Sequence, residues 1–349
     1  MPQSTPMDLS DNRRSGVRRM PRGLWTAGGA DPRGRGGTLA SMSESLITID
    51  CEYVQPDLAC AYLRVSGDEC AFIETNTAFA VPRLLAALAA QGRSPGDVRY
   101  VIVTHVHLDH AGGAHALMEQ CPNATLLAHP RAARHLIDPA KLVAGATAVY
   151  GAEHFAALYG SIRGVEASRV RALDDGAEVP FGRGVLRFIH TRGHANHHFV
   201  VHDPARDTVF TGDAFGLVYP QLQRAGLIAF PSTSPTDFDG PAAHAAVDRI
   251  VALGTRSACL THFGEQTRLS DIAEQLHSWL TLSEALLTES RARPEAEREA
   301  FIEARLTAAF DEAAARVGLT LSADDRTLVA FDRKLNAQGL AYAAGRAPA

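Results

Sequence analysis

No stretch of about 18 consecutive apolar residues occurs in this chain, so no segment reads as a membrane span. Cysteine is scarce: Cys51, Cys60, Cys70, Cys121 and Cys259 are dispersed, odd in number and form no C-x-x-C pair. That pattern argues against a disulfide framework and a cysteine-bound zinc ribbon, and reads as buried thiols in a reducing compartment. The body of the chain has no lysine- or arginine-rich patch and the formal net charge is −5. There is thus no electrostatic ground for a nucleic-acid or anionic-membrane partner. No apolar segment follows the N-terminal charges, so a secretory signal is not indicated, and Asp8, Asp11 and Asp31 weaken a transit peptide. The expectation is a cytoplasmic protein acting on a small molecule, and self-association is compatible with the sequence.

What is present fits a globular fold. With 349 residues, 46% hydrophobic and 21% charged, the chain can bury one large core and carry a small appended region. Residues 1–41 differ from the rest: seven arginines, from Arg13 to Arg35, lie among glycines without apolar periodicity. They read as a disordered extension, with Met42 as an alternative start. Residues 42–265 are expected to form the main domain and residues 266–349 a helical C-terminal region.

Within the main domain, short β-prone runs at Leu46–Val54, Leu58–Val65 and Cys70–Glu74 read as consecutive antiparallel strands. Helix and strand signals then alternate: helix Val81–Gln91, strand Val98–Thr104, helix Gly112–Gln120, strand Thr125–Ala128 and a helical stretch from Pro130 to about Tyr159. A second set of strands follows near Val170–Leu173, Val185–Thr191, Phe199–His202, Thr208–Phe210 and Ala258–Leu260, with helix Phe238–Leu253 before the last. Two strand sets, each with helices, imply an α/β fold of two packed sheets covered by helices. Beyond Gly264 strands are expected to stop. Residues such as Ile272, Leu276, Trp279, Phe310 and Leu328 recur at helical spacing, and Ser322 with Asp325 resembles a capping box.

The stretch THVHLDHAGG (Thr104–Gly113) crowds His105, His107, Asp109 and His110 onto the end of a buried strand. In extended chain, His105 and His107 share a face. Asp109 and His110 fall where the chain turns into a helix, and Gly112-Gly113 permits close backbone approach. Three further strand ends carry ligand types: His190 to His194, Thr211-Gly212-Asp213 and Thr261-His262-Phe263-Gly264. Each is weak alone; together they supply the neutral imidazoles and carboxylates of a hydrolytic metal site.

The set "THVHLDHAGG", "HTRGHANHH", "FTGDAFG" and "THFG" resembles the metallo-β-lactamase-fold metallohydrolases over roughly residues 46–265. The nearest similarity is to a branch without a named substrate, and glyoxalase II and acyl-homoserine-lactone lactonases share the ligand set. The resemblance implies a four-layer αβ/βα sandwich with the site at one edge between the sheets. It implies one metal held by His105, His107, His194 and Asp213, and a second by Asp109, His110, Asp213 and His262, with Asp213 bridging. His107 stands where the flavodiiron oxidoreductases place Glu, and Arg192 stands where the family commonly has proline.

Two divalent ions so held, zinc first with iron or manganese as alternatives, would make hydroxide available near neutral pH, and Asp109 would orient it and take up its proton. The expected activity is a dinuclear hydrolase of a small ester, thioester or lactone; the alternative is a mononuclear iron persulfide dioxygenase of the same fold. Tyr219 is a weak candidate for contact with a substrate oxygen. His190, His197 and His198 could orient ligands, whereas His115, His129, His135, His154, His244 and His277 lack the strand-end context.

Overall fold

A computed structural model describes residues 44–233 and 236–346. The expectations for residues 1–41 and for Met42 lie outside the described residues.

Two six-stranded sheets form the centre. In the first, β1 (Glu44–Asp50), β2 (Cys60–Ser66) and β3 (Glu69–Ile73) pair antiparallel, as expected of consecutive strands joined by short turns. After α1 (Val81–Ala90), β4 (Val98–Ile102) joins β3 in parallel. The short α2 (Leu108–Ala111) and α3 (Ala114–Gln120) lead to β5 (Thr125–Ala128). The stretch from Pro130 to Tyr159 is three helices: α4 (Pro130–Ile137), α5 (Ala140–Tyr150) and α6 (Ala152–Tyr159). Pro139 and Gly151, at φ +78°, break it. β6 (Val170–Ala172) closes this sheet.

The second sheet runs through β7 (Glu178–Phe181), β8 (Gly184–His190), β9 (Phe199–Asp203) and β10 (Thr208–Gly212) as an antiparallel meander. Helix α7 (Gly240–Val251) crosses to β11 (Ser257–Leu260), which pairs parallel with β10, and β12 (Gly264–Gln266) forms the edge. Two of these strands depart from the sequence reading. β7 reads Glu-Val-Pro-Phe, a short run containing proline, and β12 continues strand structure past Gly264 through an antiparallel turn on β11. Both are too short for their own pattern to decide, β7 alternating over only Val179 and Phe181, and both gain their pairing from a neighbour.

Period-two alternation sorts the strand side chains into layers. Tyr62, Ala71, Ile73, Tyr100, Ile102 and Leu127 face Phe188, Phe199, Val201, Phe210 and Cys259 between the sheets. The alternate residues Leu63, Phe72, Val101 and Leu126 pack on Leu84, Leu88, Leu117 and Met118 of α1 and α3. On the far side, Val200, Val209, Ala258 and Leu260 pack on Val247 and Ile250 of α7 and on Ile272 and Leu276. This is the four-layer αβ/βα sandwich, and sheets covered on both faces explain the near-continuous apolar strands. All five cysteines are buried.

Three long helices complete the chain: α8 (Leu269–Arg291), α9 (Glu295–Arg316) and α10 (Ala323–Ala344). Ser322 caps α10 in the expected box with Asp325. Their apolar faces join Leu217, Tyr219 and Phe230, and through them Tyr53, Leu58, Leu108, Phe155 and Tyr159, in one cluster at a single edge of the sandwich. No helix among the described residues is long and apolar enough to cross a membrane.

Candidate metal centre

That edge is where the strand ends converge. β4 runs out at Ile102, and Thr104 is followed by His105, His107, Asp109 and His110, the last two inside α2. The glycines after α2 are required by contact: a Cβ on Gly112 would lie 2.4 Å from Leu108 O, and one on Gly113 would lie 2.7 Å from both Thr75 O and Thr77 O. This packing lets residues 74–77 grip the ligand turn. Thr75 donates to His110 O from its backbone N and its hydroxyl, and Asn76 Nδ2 donates to Asp109 O at 2.9 Å. His194 follows β8, Asp213 follows β10, and His262 follows β11.

The side chains form two groups of donor atoms, His105, His107, His194 and Asp213 in one and Asp109, His110 and His262 in the other. In the first, His194 Nε2 lies 3.3 Å from His105 Nε2, 3.0 Å from His107 Nδ1 and 3.4 Å from Asp213 Oδ2. In the second, His262 Nε2 lies 3.4 Å from Asp109 Oδ2, and the other Asp213 oxygen, Oδ1, is 3.2 Å from His110 Nε2 and 3.6 Å from His262 Nε2. A tetrahedral ion with bonds of about 2.0–2.1 Å has ligand–ligand edges of about 3.3–3.4 Å. The two carboxylate oxygens of Asp213 thus each face one group.

Chemistry and satisfaction agree with that fit. His110 Nε2 and Asp213 Oδ1 are buried and lack a hydrogen-bond partner despite their proximity, the arrangement of atoms aimed at a shared cation rather than at each other. Burial, reinforced by neighbouring imidazoles, drives His105 and His107 well below the ordinary histidine range, which keeps them neutral. Burial opposes charge on His262 too, but Asp213 and Asp109 outweigh it and push that imidazole up to about 9. Conversely, burial opposes ionisation of Asp109, yet His110 and His262 hold its carboxyl down to about 2.

Buried partners aim the candidate ligands. His262 Nδ1 donates to Leu58 O at 2.7 Å and His194 Nδ1 to Ser232 O at 3.1 Å. His198 bonds Thr191 Oγ1 through Nδ1 at 2.8 Å and accepts Asp213 N through Nε2 at 3.3 Å. Glu74 is the residue that sequence reasoning missed. Held at φ +67° at the end of β3, its fully buried carboxylate accepts from Thr104 Oγ1 and lies 3.2 Å from His110 Nδ1. Its signal was an acid directly after a buried strand, with its partners 30 and 36 residues away.

The remaining candidates separate. Of the flanking histidines, His197 lies near His105 and His107 at ring separations of 6.1 and 5.8 Å, while His190 lies against the tilted ring of His129 at 4.1 Å. His115, His129, His135, His154, His244 and His277 fall outside both donor groups. Arg192, at the position where proline is common, holds its loop through Asn196 Oδ1 at 3.1 Å. The Tyr219 ring stands edge-on to His262, but its hydroxyl is already donated to Asp332 Oδ2 of α10 at 3.1 Å.

A four-layer sandwich with this donor set at its edge defines the class. The model of the metallo-beta-lactamase superfamily matches residues 59–262, and the chain belongs to that superfamily. The metallo-beta-lactamase fold-containing protein ST1585 of Sulfurisphaera tokodaii is 29% identical over 140 residues, which are 39% of this chain and 49% of that protein. The match therefore spans about half the length of this curated relative. The solved structure of ST1585 overlays with a TM-score of 0.60 at 19% identity, covering 85% of this chain and 98% of that one. The metallo-beta-lactamase family protein TTHA1429 from Thermus thermophilus gives 0.53 at 22% identity, covering 70% of this chain and 81% of that one. At these identities the two overlays speak for the fold alone.

Proposed function

We propose that this protein is a dinuclear metal-dependent hydrolase of a small ester, thioester or lactone. The observation that carries the reading is the split of Asp213: Oδ2 faces His194 and Oδ1 faces His110 and His262, so one carboxylate completes two adjacent donor sets. His105, His107, His194 and Asp213 would hold one ion, and Asp109, His110, Asp213 and His262 the other. Zinc suits this set, which offers imidazole and carboxylate and no thiolate; iron and manganese are the alternatives. Two such ions supply Lewis acidity and lower the pKa of a shared water towards 7.

The chain's own residues do the rest. Asp109 keeps 25% of its side-chain surface exposed at the cleft while His262 and His110 hold it ionised, so it can orient an attacking water and accept its proton. Leu58, Leu108, Phe155, Tyr159 and Tyr219 are buried in the apolar cluster at the same edge and make that side of the site apolar, which suits an acyl group. No serine or cysteine nucleophile is called for. The small-molecule reading rests on this enclosed apolar edge and on the acidic balance of the chain.

The test is elemental analysis of purified protein followed by a panel of thioesters, lactones, esters and phosphodiesters. Two metal ions per chain and turnover of an acyl member support the proposal. One iron per chain with oxygen uptake on a persulfide refutes it in favour of the dioxygenase chemistry.

A further inference from the structure

Helix α10 is tied to the metal edge along one face. Asp325 takes a bidentate pair from Arg224, at 2.9 and 2.6 Å. Asn336 bonds Thr233 N at 2.6 Å and Pro231 O at 2.9 Å, on either side of Ser232, whose carbonyl holds His194. Between Asp325 and Asn336 on the same helix lies Asp332. Two of these tethers have evident partners that only fix the helix. The third is different.

Asp332 receives a single hydrogen bond, from the Tyr219 hydroxyl at 3.1 Å, and among the described residues no lysine or arginine forms an ion pair with it. The adjacent Arg333 points to Glu303 at 3.8 Å instead. The Tyr219 ring that carries this bond stands against the His262 ring, 6.4 Å between centroids, and the Asp332 carboxyl interacts electrostatically with His262, Asp213 and Asp109. Burial raises that carboxyl to about 7 against the opposing pull of His262 and the Tyr219 hydroxyl, with Asp213 and Asp109 adding to the rise, so the fold supplies no cation that offsets its burial. Its side chain is half-buried, beside the Tyr219 hydroxyl.

We propose that Asp332 is a specificity-determining residue of the metal centre, an anionic contact that selects acyl substrates carrying an ammonium or other cationic group beside the scissile carbonyl. This rests on the hydrolase reading for the word acyl, but the charge preference belongs to the site itself. Metal ions held by the seven candidate ligands would favour the ionised carboxylate, and a cationic substrate group would complete the pairing that the fold leaves open. A carboxylate-bearing substrate meets repulsion at the same place. Tyr219 is then a positioning residue, since it fixes the orientation of Asp332.

The experiment measures binding of three hydroxamates to zinc-loaded full-length protein by calorimetry: glycine hydroxamate (cationic), acetohydroxamate (neutral) and succinate monohydroxamate (anionic). Asp332→Asn keeps an acceptor for the Tyr219 hydroxyl and removes only charge. The variant should bind glycine hydroxamate roughly ten-fold more weakly, as expected for one charge pair at intermediate dielectric. Acetohydroxamate should be unchanged and succinate monohydroxamate should bind more tightly. Equal shifts for all three probes, or none for glycine hydroxamate, overturn the proposal. Should the variant fail to fold, the wild-type protein still decides. Its preference for the cationic over the anionic probe must shrink as salt is raised, and a salt-independent ratio overturns the proposal. Discrimination among the probes without turnover of any ester sinks the hydrolase reading alone; protein that takes up no metal sinks both.

Discussion

Replacing Glu74 by Gln removes one charge and almost no volume, at a position that touches no substrate. Its carboxylate supports His110 Nδ1 at 3.2 Å while His110 Nε2 faces Asp213, so the imidazole is held between two acids. Both side chains are essentially solvent-free, at 0% and 1% exposure, so water cannot replace the lost charge. A carboxylate behind a ligating histidine raises its basicity and fixes its tautomer, and its loss typically costs about 10–100-fold in metal affinity, or roughly 1.4–2.7 kcal/mol. Gln retains an acceptor for the Thr104 hydroxyl, so the fold should hold. The assay is a chelator competition resolving two binding steps: the weaker step of the variant should assign to the group of Asp109, His110 and His262, with the His105, His107 and His194 step little changed. Equal weakening of both steps, or of neither, would refute the reasoning that Glu74 acts through His110.

Three further outcomes are expected. Gly193→Ala should cost about 1–3 kcal/mol and lower metal retention, because at φ +120° its Cβ would lie 2.3 Å from Ala243 N and displace the loop bearing His194; an unchanged melting temperature would count against it. Asp109→Asn should cut turnover by at least about a hundred-fold while costing the metal-free chain only the few kcal/mol that its ionised carboxylate contributes, and wild-type rates would show that another group accepts the proton. In metal-free protein, His262 is raised to about 9, so its contribution is complete below an ordinary value of 6.5 and is lost as pH rises through about 9. Asp109, held near 2, contributes above 3.8 and loses its contribution as pH falls towards about 2. Melting of chelated protein should therefore fall from about pH 7.5 to pH 9, above the range in which the buried neutral His105 and His107 still gain stability with pH, while zinc affinity rises over the same window, since binding requires neutral imidazoles. Stability that is flat across that window would contradict the assignment.

The layers and the ligand turn were legible because their signals are local. An apolar strand followed by H-x-H-x-D-H is written in consecutive residues, and the two strand sets announce themselves by alternation and turn residues. What escaped depends on contacts distant in sequence. Glu74 reaches His110 across 36 residues, and Asp332 meets Tyr219 across 113. No pattern in either neighbourhood points to the other. β7 and β12 escaped for a related reason: each is short and becomes a strand through its partner. The breaks in the Pro130–Tyr159 stretch were visible as Pro139 and Gly151 but were outweighed by helical periodicity on either side. Tyr219 was placed near the site by its distance from Asp213, while the bond that occupies its hydroxyl comes from a helix far along the chain.

The central claim is that one carboxylate, Asp213, joins two metal sites. Anomalous diffraction at the zinc edge from crystals of zinc-loaded protein tests it most directly. The account predicts two peaks, one among His105, His107 and His194 and one among Asp109, His110 and His262, with an Asp213 oxygen against each. A single peak, or a second one away from Asp213, would contradict it.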